Sequence, residues 1–278
     1  MHIVNPADIA GLRAAGDTVF VDARGGADAF ERFSDGHLED ALFVDLETEL
    51  SQKTSDAADG GRHPLPSPSD FGKLLGTLGI MPSTTVVVYD DKKGANAAAR
   101  FWWMLRAAGH EKVYVVNGGW DGIVAAGLPV TTDMVTLLTE FPSYPIVGWE
   151  LPTVSADQVA EVAESENGMI IDVRERYRFR GESEPIDLVA GHIPGAINIP
   201  YTGNLDDNGD FLSAYELGEK YKEALGETGA KNVIIHCGSG VTACHTILAF
   251  AEADLPTPSL YVGSWSEWSR NDRPVARE

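Results

Sequence analysis

Residues 233–253 read VIIHCGSGVTACHTILAFAEA, and this stretch decides the fold class. It opens with a short, mostly apolar run rich in β-branched residues, which is typical of a parallel strand covered on both faces. A loop with two glycines follows, and then a helical segment. Residues 86–109, VVVYDDKKGANAAARFWWMLRAAG, repeat this order of strand, loop and helix in the first half of the chain. Alternating strands and helices predict an α/β fold, with a parallel sheet and helices on both faces.

The repeat extends to other parts of the chain, and it predicts a duplicated domain. At an offset of 150 residues, NPADIAGLRAAG from Asn5 aligns with SADQVAEVAES from Ser155, and both segments begin with a residue that can cap a helix. The strand TVFVDAR at 18–24 aligns with MIIDVR at 169–174. The expected organisation is a first domain over 1–131, a linker over 132–152 and a second domain over 153–278.

The composition is that of a globular and strongly acidic protein. Hydrophobic residues make up 44% and charged residues 23% of the chain, and 42 Asp and Glu outnumber 21 Lys and Arg, for a formal net charge of −21. A negative surface repels the phosphates of nucleic acids and anionic membranes, so we expect neither as a partner. No stretch approaches the ~18 apolar residues that cross a bilayer, and the start, MHIVNPADIAGLRAAG, lacks the pattern of a secretory signal.

The cysteines and histidines favour a reducing compartment and disfavour a metal site. Two cysteines, Cys237 and Cys244, are too few for a disulfide framework and suit the cytoplasm. The seven histidines are scattered, and no CxxC or HxxxH pair occurs, which argues against zinc. We expect a cytoplasmic monomer that carries no metal and no cofactor.

The loop Cys237–Thr242 is the candidate for chemistry, because ligands of open α/β sheets bind at the carboxyl ends of strands. Gly238 and Gly240 let the backbone curl tightly and turn N–H groups inward, and the following helix adds its positive N-terminal end. Such a cradle favours a thiolate at Cys237 and an anionic persulfide on it. The alternative is a buried structural cysteine. In the first half the equivalent residue is Asp90, so only one of the two loops offers a thiol.

Two other kinds of loop fit this sequence less well. A dinucleotide fingerprint needs a further glycine and an acidic residue that the GSG sequence lacks. A cysteine phosphatase also begins its loop with His-Cys, but it needs an arginine six residues after the cysteine to clamp phosphate. That position is Ala243 here, which argues against phosphate chemistry.

The tandem halves, together with IDVR at 171–174, GHIPGAINIP at 191–200 and CGSGVTAC at 237–244, resemble the rhodanese superfamily and in particular its two-domain sulfurtransferases. The resemblance covers nearly the whole chain in order. It implies two tandem rhodanese-like domains, an inactive N-terminal one and a catalytic C-terminal one, with the site in the cleft between them. It also implies that Cys237 takes a sulfane sulfur from a small-molecule donor and passes it to cyanide, a thiol or thioredoxin.

The loop sequence distinguishes two branches of these enzymes. Thiosulfate sulfurtransferases typically carry CRKGVT, whose charge helps to expel sulfite, whereas the 3-mercaptopyruvate branch carries CGSGVT, as here. Pyruvate leaves as an enolate that needs a proton, and the resemblance implies a relay of serine, histidine and aspartate to supply it. Ser239 and His37 match the first two members, and Asp28 is the candidate for the third. A structural role is the alternative for His37, and we expect such a role for its second-half counterpart His192.

The donor carboxylate needs a cationic partner, and Arg178 in RYRFRG matches the substrate-binding arginine of the family. Donor contacts are also implied for the loop residues Gly238, Gly240, Val241 and Thr242. The mercaptopyruvate enzymes usually bring a second arginine to the carboxylate about nine residues later. Residues 182–190 read ESEPIDLVA here, without a cation.

Other segments could supply that missing cation. Arg176 and Arg180 are candidates, although each is more often a solvated surface charge. The segment GGRHPLP, with Arg62 and His63, resembles a first-half segment that reaches toward the cleft.

Sulfur transfer from 3-mercaptopyruvate through Cys237 is therefore the leading hypothesis. A thiosulfate sulfurtransferase is the alternative within the class, because the second arginine is missing. A non-enzymatic rhodanese-like module, which binds partners or relays sulfur inside a complex, is the alternative from another class. The retained thiol argues against such a module.

Overall fold

The computed structural model describes residues 1–135, 142–165, 168–226 and 232–278, so residues 136–141 of the expected linker lie outside the described part. The chain divides into two compact units, and each unit takes a segment from the other half of the sequence. The first unit contains Met1–Gln52, Pro66–Glu150 and Asn208–Asp210, and the second contains Lys53–Leu65, Leu151–Asp207 and Phe211–Glu278.

The first unit is built on a parallel sheet. Its strands are β1 (Ile3–Val4), β2 (Thr18–Arg24), β3 (His37–Leu38), β4 (Ala41–Asp45), β5 (Thr85–Tyr89), β6 (Val113–Val116) and β7 (Val130–Thr131). Its helices are α1 (Ile9–Ala14), α2 (Ala29–Ser34), α3 (Pro68–Thr77), α4 (Ala97–Ala107) and α5 (Gly119–Ala125). Five strands pair in parallel in the order β1-β6-β5-β2-β4, while β3 and β7 form an antiparallel pair.

The second unit repeats this design. Its strands are β8 (Thr153–Val154), β9 (Met169–Asp172), β10 (Ile197–Asn198), β11 (Val233–His236) and β12 (Ser259–Tyr261), and they pair in parallel in the order β10-β9-β11-β12-β8. Its helices are α6 (Ala156–Glu164), α7 (Arg176–Arg180), α8 (Ala214–Leu225), α9 (Thr242–Glu252) and α10 (Ser264–Trp268). Read from the opposite edge, the first sheet has the same order of equivalent strands. The predicted duplicated α/β fold is therefore confirmed.

The middle strand of each sheet carries the most buried part of its unit. Every residue of β11 is buried, as are Val86, Val87, Val88 and Tyr89 of β5. Helix α4 packs on the first sheet with Trp102 and Trp103 almost fully buried, so these aromatic residues belong to the core. Strands buried on both faces explain why these runs show no polar alternation.

The register of the strands identifies equivalent residues in the two units. Tyr89 pairs with Asp22 in the first sheet, and His236 pairs with Asp172 in the second. The residues that follow Tyr89 and His236 are Asp90 and Cys237. The structure thus aligns the two loops in the way that the repeat in the sequence predicts.

The segment Lys53–Leu65, here called the strap, belongs to the second unit although it lies within the expected first domain, 1–131. Hydrogen bonds to residues of α10, and to one residue just after it, hold the strap in place. The Asn271 side chain donates to the carbonyl of Ala58 at 2.7 Å, and the N–H of Gly60 donates to Glu267 at 3.2 Å. The N–H of Arg62 donates to Ser266 Oγ at 3.0 Å. These bonds place the end of the strap beside the loop that follows β11.

In the described part of the chain, no helix has both the length and the apolar character that a membrane crossing needs.

Candidate active site

The loop Cys237–Thr242 joins β11 to α9, as the sequence predicts, and α10 binds its first residues. The carbonyl of Cys237 accepts the N–H of Trp265 at 3.0 Å, and the carbonyl of Gly238 accepts the N–H of Ser266 at 2.8 Å. Gly240 has a φ of 74°, and a side chain there would collide with the carbonyl oxygen of Val262. The glycine is therefore needed for the tight curl of the loop.

Both cysteines are buried and neither forms a disulfide, but their surroundings differ. Cys237 stands at the head of the loop with 3% of its surface exposed, and its N–H donates to Ser264 Oγ at 3.2 Å. Cys244 lies inside α9 and its thiol donates to the carbonyl of Gly240 at 3.4 Å. The geometry gives Cys244 a structural place and leaves Cys237 as the candidate nucleophile.

The first unit shows what such a loop holds when no thiol is present. The carboxylate of Asp90 accepts four backbone N–H groups at 2.7–3.1 Å, those of Lys92, Gly94, Asn96 and Ala98. Burial raises the pKa of Asp90, and the four N–H donors act in the opposite direction. They therefore offset part of the cost of burying a negative charge. The equivalent loop after β11 has Cys237 in this position.

A buried ion pair braces the strand end beside each loop. In the second unit Arg174 pairs with Asp172 and donates to the carbonyl of Gly191 at 2.7 Å. In the first unit Arg24 pairs with Asp22 at 2.7 Å and donates to the carbonyl of Gly36 at 3.0 Å. Burial raises the pKa of Asp172, but Arg174 and His236 together outweigh it and hold that pKa below its usual range. These pairs explain why both VDAR and IDVR occur upstream of a Gly-His dipeptide.

His37 and His192 make the same contacts in their own units. His37 stacks on Phe33 with ring centroids 3.9 Å apart, and its Nδ1 lies 2.9 Å from the Phe33 carbonyl oxygen. His192 stacks on Phe179 at 3.7 Å, and its Nδ1 lies 2.7 Å from the Phe179 carbonyl oxygen. The Nε2 of His37 lies 3.3 Å from the carbonyl oxygen of Asp133, and its ring is fully buried. This geometry supports the structural alternative for His37.

The histidine that contacts Ser239 is His63, from the strap. Its Nδ1 lies 2.7 Å from Ser239 Oγ, and both residues are buried. Asp28, the candidate third member of the relay, is instead an exposed residue at the start of α2 that pairs with Arg32 at 3.1 Å. Among the described residues, no contact joins Asp28 to His37. The signal in the sequence was the GGRHPLP segment, but nothing in it fixed where His63 would lie.

The comparisons with known proteins identify the family. The model of the rhodanese-like domain matches residues 5–126 and again residues 155–271. This chain belongs to the rhodanese family. Both rhodanese domains predicted from the sequence are thereby confirmed, and the protein is a sulfurtransferase, whose family implies a sulfur donor and a thiol acceptor as substrates.

Relatives of this rhodanese carry two different names. A Pseudomonas aeruginosa protein named "Probable 3-mercaptopyruvate sulfurtransferase" is 40% identical over 88% of this chain and 85% of its own. Thiosulfate sulfurtransferase of Gallus gallus is 34% identical over 89% of this chain and 83% of its own. The structure of 3-mercaptopyruvate sulfurtransferase from Leishmania major matches with a TM-score of 0.84 and 30% identity, covering 98% of this chain and 75% of that one.

Two arginines of the rhodanese lie against the loop. A Cβ placed on Gly238 would lie 3.1 Å from Nη2 of Arg62 and 3.4 Å from Nη2 of Arg178. Arg178 is buried and donates to Glu184 at 2.8 and 3.1 Å. Burial disfavours its charged form, but the acids Glu184, Glu175 and Asp187 together outweigh this and raise the pKa of the guanidinium. A glycine at position 238 thus permits two cations to approach the residue next to Cys237.

The remaining candidates lie in other places. Arg176 is exposed, and Arg180 pairs at the surface with Glu182 and Glu278 at 3.7 and 3.5 Å. Val241 and Thr242 end the loop and begin α9, and their donor contacts stay predictions. Within the described residues, no group of three or more His, Cys, Asp or Glu could hold a metal ion.

Proposed function

We propose that this rhodanese takes sulfur from 3-mercaptopyruvate as a persulfide on Cys237 and passes it to a thiol, thioredoxin or cyanide. The observation that carries the proposal is the bond between Ser239 and His63 in the loop. This pair offers a transferable proton beside the nucleophile. A leaving sulfite would gain nothing from that proton, whereas a leaving enolate requires one.

The first step is an attack by the Cys237 thiolate on the thiol sulfur of the donor. A sulfur–sulfur bond forms and the carbon–sulfur bond of the donor breaks, so its electron pair passes to the enolate of pyruvate. We infer that N–H groups of the loop stabilise the negative charge on the sulfur, because the equivalent loop of the first unit binds the Asp90 carboxylate with its N–H groups. The product on the enzyme is the Cys237 persulfide.

The proton for the enolate comes from the hydroxyl of Ser239, and His63 replaces it. The 2.7 Å contact is short enough for transfer between the two side chains. Protonation of the enolate carbon forms the methyl group of pyruvate, and pyruvate then leaves. In the second step an acceptor thiolate attacks the outer sulfur of the persulfide, which restores the Cys237 thiolate and forms a persulfide on the acceptor.

Thiosulfate is the second candidate donor, because a thiosulfate sulfurtransferase is among the relatives and residues 182–190 contain no cation. Arg62 and Arg178 beside Gly238 could also bind a sulfonate group. The loop itself carries no charged side chain at positions 237–242, which favours 3-mercaptopyruvate.

The test compares wild type with Cys237→Ala, with Cys244→Ala as the matched control. Pyruvate release from 3-mercaptopyruvate is expected for wild type and the control but not for Cys237→Ala. A higher kcat/KM on thiosulfate would reverse the order of donors. Mass spectrometry after donor treatment should find one added sulfur (about 32 Da) on Cys237. No added sulfur from either donor would favour the non-enzymatic module.

The proposal also covers the setting of the enzyme. Two unbridged cysteines fit a reducing cytoplasm, and a net charge of −21 argues against nucleic acid or anionic membranes as partners. We keep a monomer as the expected state, which sedimentation would test.

A further inference from the structure

The residue nine positions after Arg178 is an acid, Asp187, and it forms ion pairs with three arginines. Its side chain is fully buried. Arg62 Nε and Arg270 Nη1 lie 3.1 and 2.9 Å from its Oδ1, and Arg178 Nη2 lies 3.5 Å from its Oδ2. A buried carboxylate with such partners holds their guanidinium groups in fixed places. The position expected to supply a cation therefore organises cations that come from elsewhere.

Arg62 is held at the loop by its backbone as well as by Asp187. Its N–H donates to Ser266 Oγ at 3.0 Å, and the next residue, His63, contacts Ser239. Both contacts hold the backbone of the strap beside the loop, so the guanidinium of Arg62 stays close to the loop. Its Nη2 lies 3.1 Å from the point where a Cβ on Gly238 would stand.

A guanidinium in this position can still bind a second carboxylate. It carries five N–H donors, and the pair with Asp187 uses Nε and Nη2 on one side at 3.1 and 3.4 Å. In 3-mercaptopyruvate the carboxylate carbon is three bonds from the sulfur, a span of about 4 Å. A donor whose sulfur meets Cys237 therefore places its carboxylate near the neighbouring residue, Gly238, where Arg62 and Arg178 converge.

We propose that Arg62 and Arg178 together bind the carboxylate of a 2-oxo acid donor, and that Asp187 is the positioning residue that holds Arg62 for this task. The inference rests on the proposed function, since it names the group of the donor that the site recognises. The second cation of the clamp comes from the strap, and the acid at position 187 orients it.

The experiment pairs two donors that differ only in the carboxylate: 3-mercaptopyruvate and 1-mercapto-2-propanone, which has a methyl group instead. Single-turnover persulfide formation on Cys237 is measured for both, so that a slow donor is still quantified. Arg62→Ala should raise KM for 3-mercaptopyruvate and lower its kcat/KM about 10- to 100-fold, the loss expected for a charge-assisted hydrogen bond. The same variant should change the rate with the propanone less than about twofold. Arg62→Lys keeps the positive charge but not the planar set of N–H donors, so its kcat/KM for 3-mercaptopyruvate should lie between those of wild type and Arg62→Ala.

Asp187→Asn should also lower kcat/KM for 3-mercaptopyruvate more than for the propanone, but by a smaller factor than Arg62→Ala. Lys222→Ala is the control for loss of an exposed positive charge. Equal losses with both donors would assign Arg62 a structural role and overturn the inference. So would an unchanged KM for 3-mercaptopyruvate, or a donor-selective loss in Arg176→Ala or Arg180→Ala instead. If wild type forms no persulfide from 3-mercaptopyruvate but does from thiosulfate, the proposed function itself fails.

Discussion

Nδ1 of His63 lies 2.7 Å from Oγ of Ser239, although 176 residues separate them in the chain. The strap delivers the histidine and the loop after β11 presents the serine. Both residues belong to the second unit, so the contact lies within one compact unit. The contact joins a hydroxyl beside the nucleophile to an imidazole, a group that can both accept and donate a proton.

Replacement of His63 by Asn should impair the donor that needs a proton. We expect kcat for 3-mercaptopyruvate to fall about 100-fold or more, in the range of general acid–base catalysis. With thiosulfate the loss should be below about fivefold, because sulfite leaves as an anion and takes no proton from the relay. Steady-state kinetics on both donors check this. Equal losses on the two donors would refute a role in proton transfer.

Replacement of His37 by Ala should show the opposite pattern. The buried ring stacks on Phe33 and contacts two carbonyl groups, so its removal should cost about 2–4 kcal/mol of unfolding free energy. The kcat for 3-mercaptopyruvate should stay within about twofold of wild type at a temperature where the variant is folded. Urea unfolding and pyruvate release measure the two quantities. A selective loss of kcat without loss of stability would return His37 to the relay.

Asp90→Ala should destabilise the first unit because four buried N–H groups lose their acceptor. We expect a loss of about 2–5 kcal/mol, with a smaller loss for Asp90→Asn, which retains one acceptor oxygen. Glu111→Ala, an exposed acid in the same unit, serves as the control. Thermal and urea unfolding measure the effect. An Asp90→Ala variant as stable as the control would mean that the cradle needs no anion.

Acid should weaken the protein through His245, a fully buried residue of α9. Burial lowers its pKa from 6.5 to about 3, so the unfolded state binds more protons than the folded state between these values. Its contribution to stability is complete above about pH 6.5 and is lost as the pH falls, by up to about 1.4 kcal/mol per pH unit. His245→Gln should remove this part of the pH dependence. Urea unfolding of both proteins from pH 8 to pH 5 checks it, and parallel curves would contradict it.

Much of the architecture followed from local patterns. The apolar runs at β5 and β11 predicted parallel strands, and the repeat at an offset of 150 residues predicted two copies of one fold. The order of equivalent strands is the same in both sheets, which confirms that prediction. Burial on both faces leaves an unbroken apolar run in the sequence, so these strands could be predicted without the structure.

The repeat bears on the assignment of His37. As the first-half counterpart of a Gly-His motif it is a candidate for the relay with a structural role as the alternative, whereas a structural role is expected for His192. The structure shows that the counterparts do the same work: each stacks on a phenylalanine and contacts that residue's carbonyl oxygen. A duplicated motif inherits its packing, so a residue that does different chemistry is better sought where the halves differ.

By itself, the sequence determined the duplicated α/β domains, the loop with its single thiol at Cys237, and Arg178 as a candidate for the donor. The domains follow from apolar runs and from the repeat, and the loop follows from the glycines within a few positions of the cysteine. Arg178 follows from the resemblance to the rhodanese sulfurtransferases. Only the tertiary structure decided that His63 meets Ser239 and that Asp187 gathers Arg62, Arg178 and Arg270. Such contacts join irregular segments far apart in the chain, and no local periodicity encodes which of them will touch.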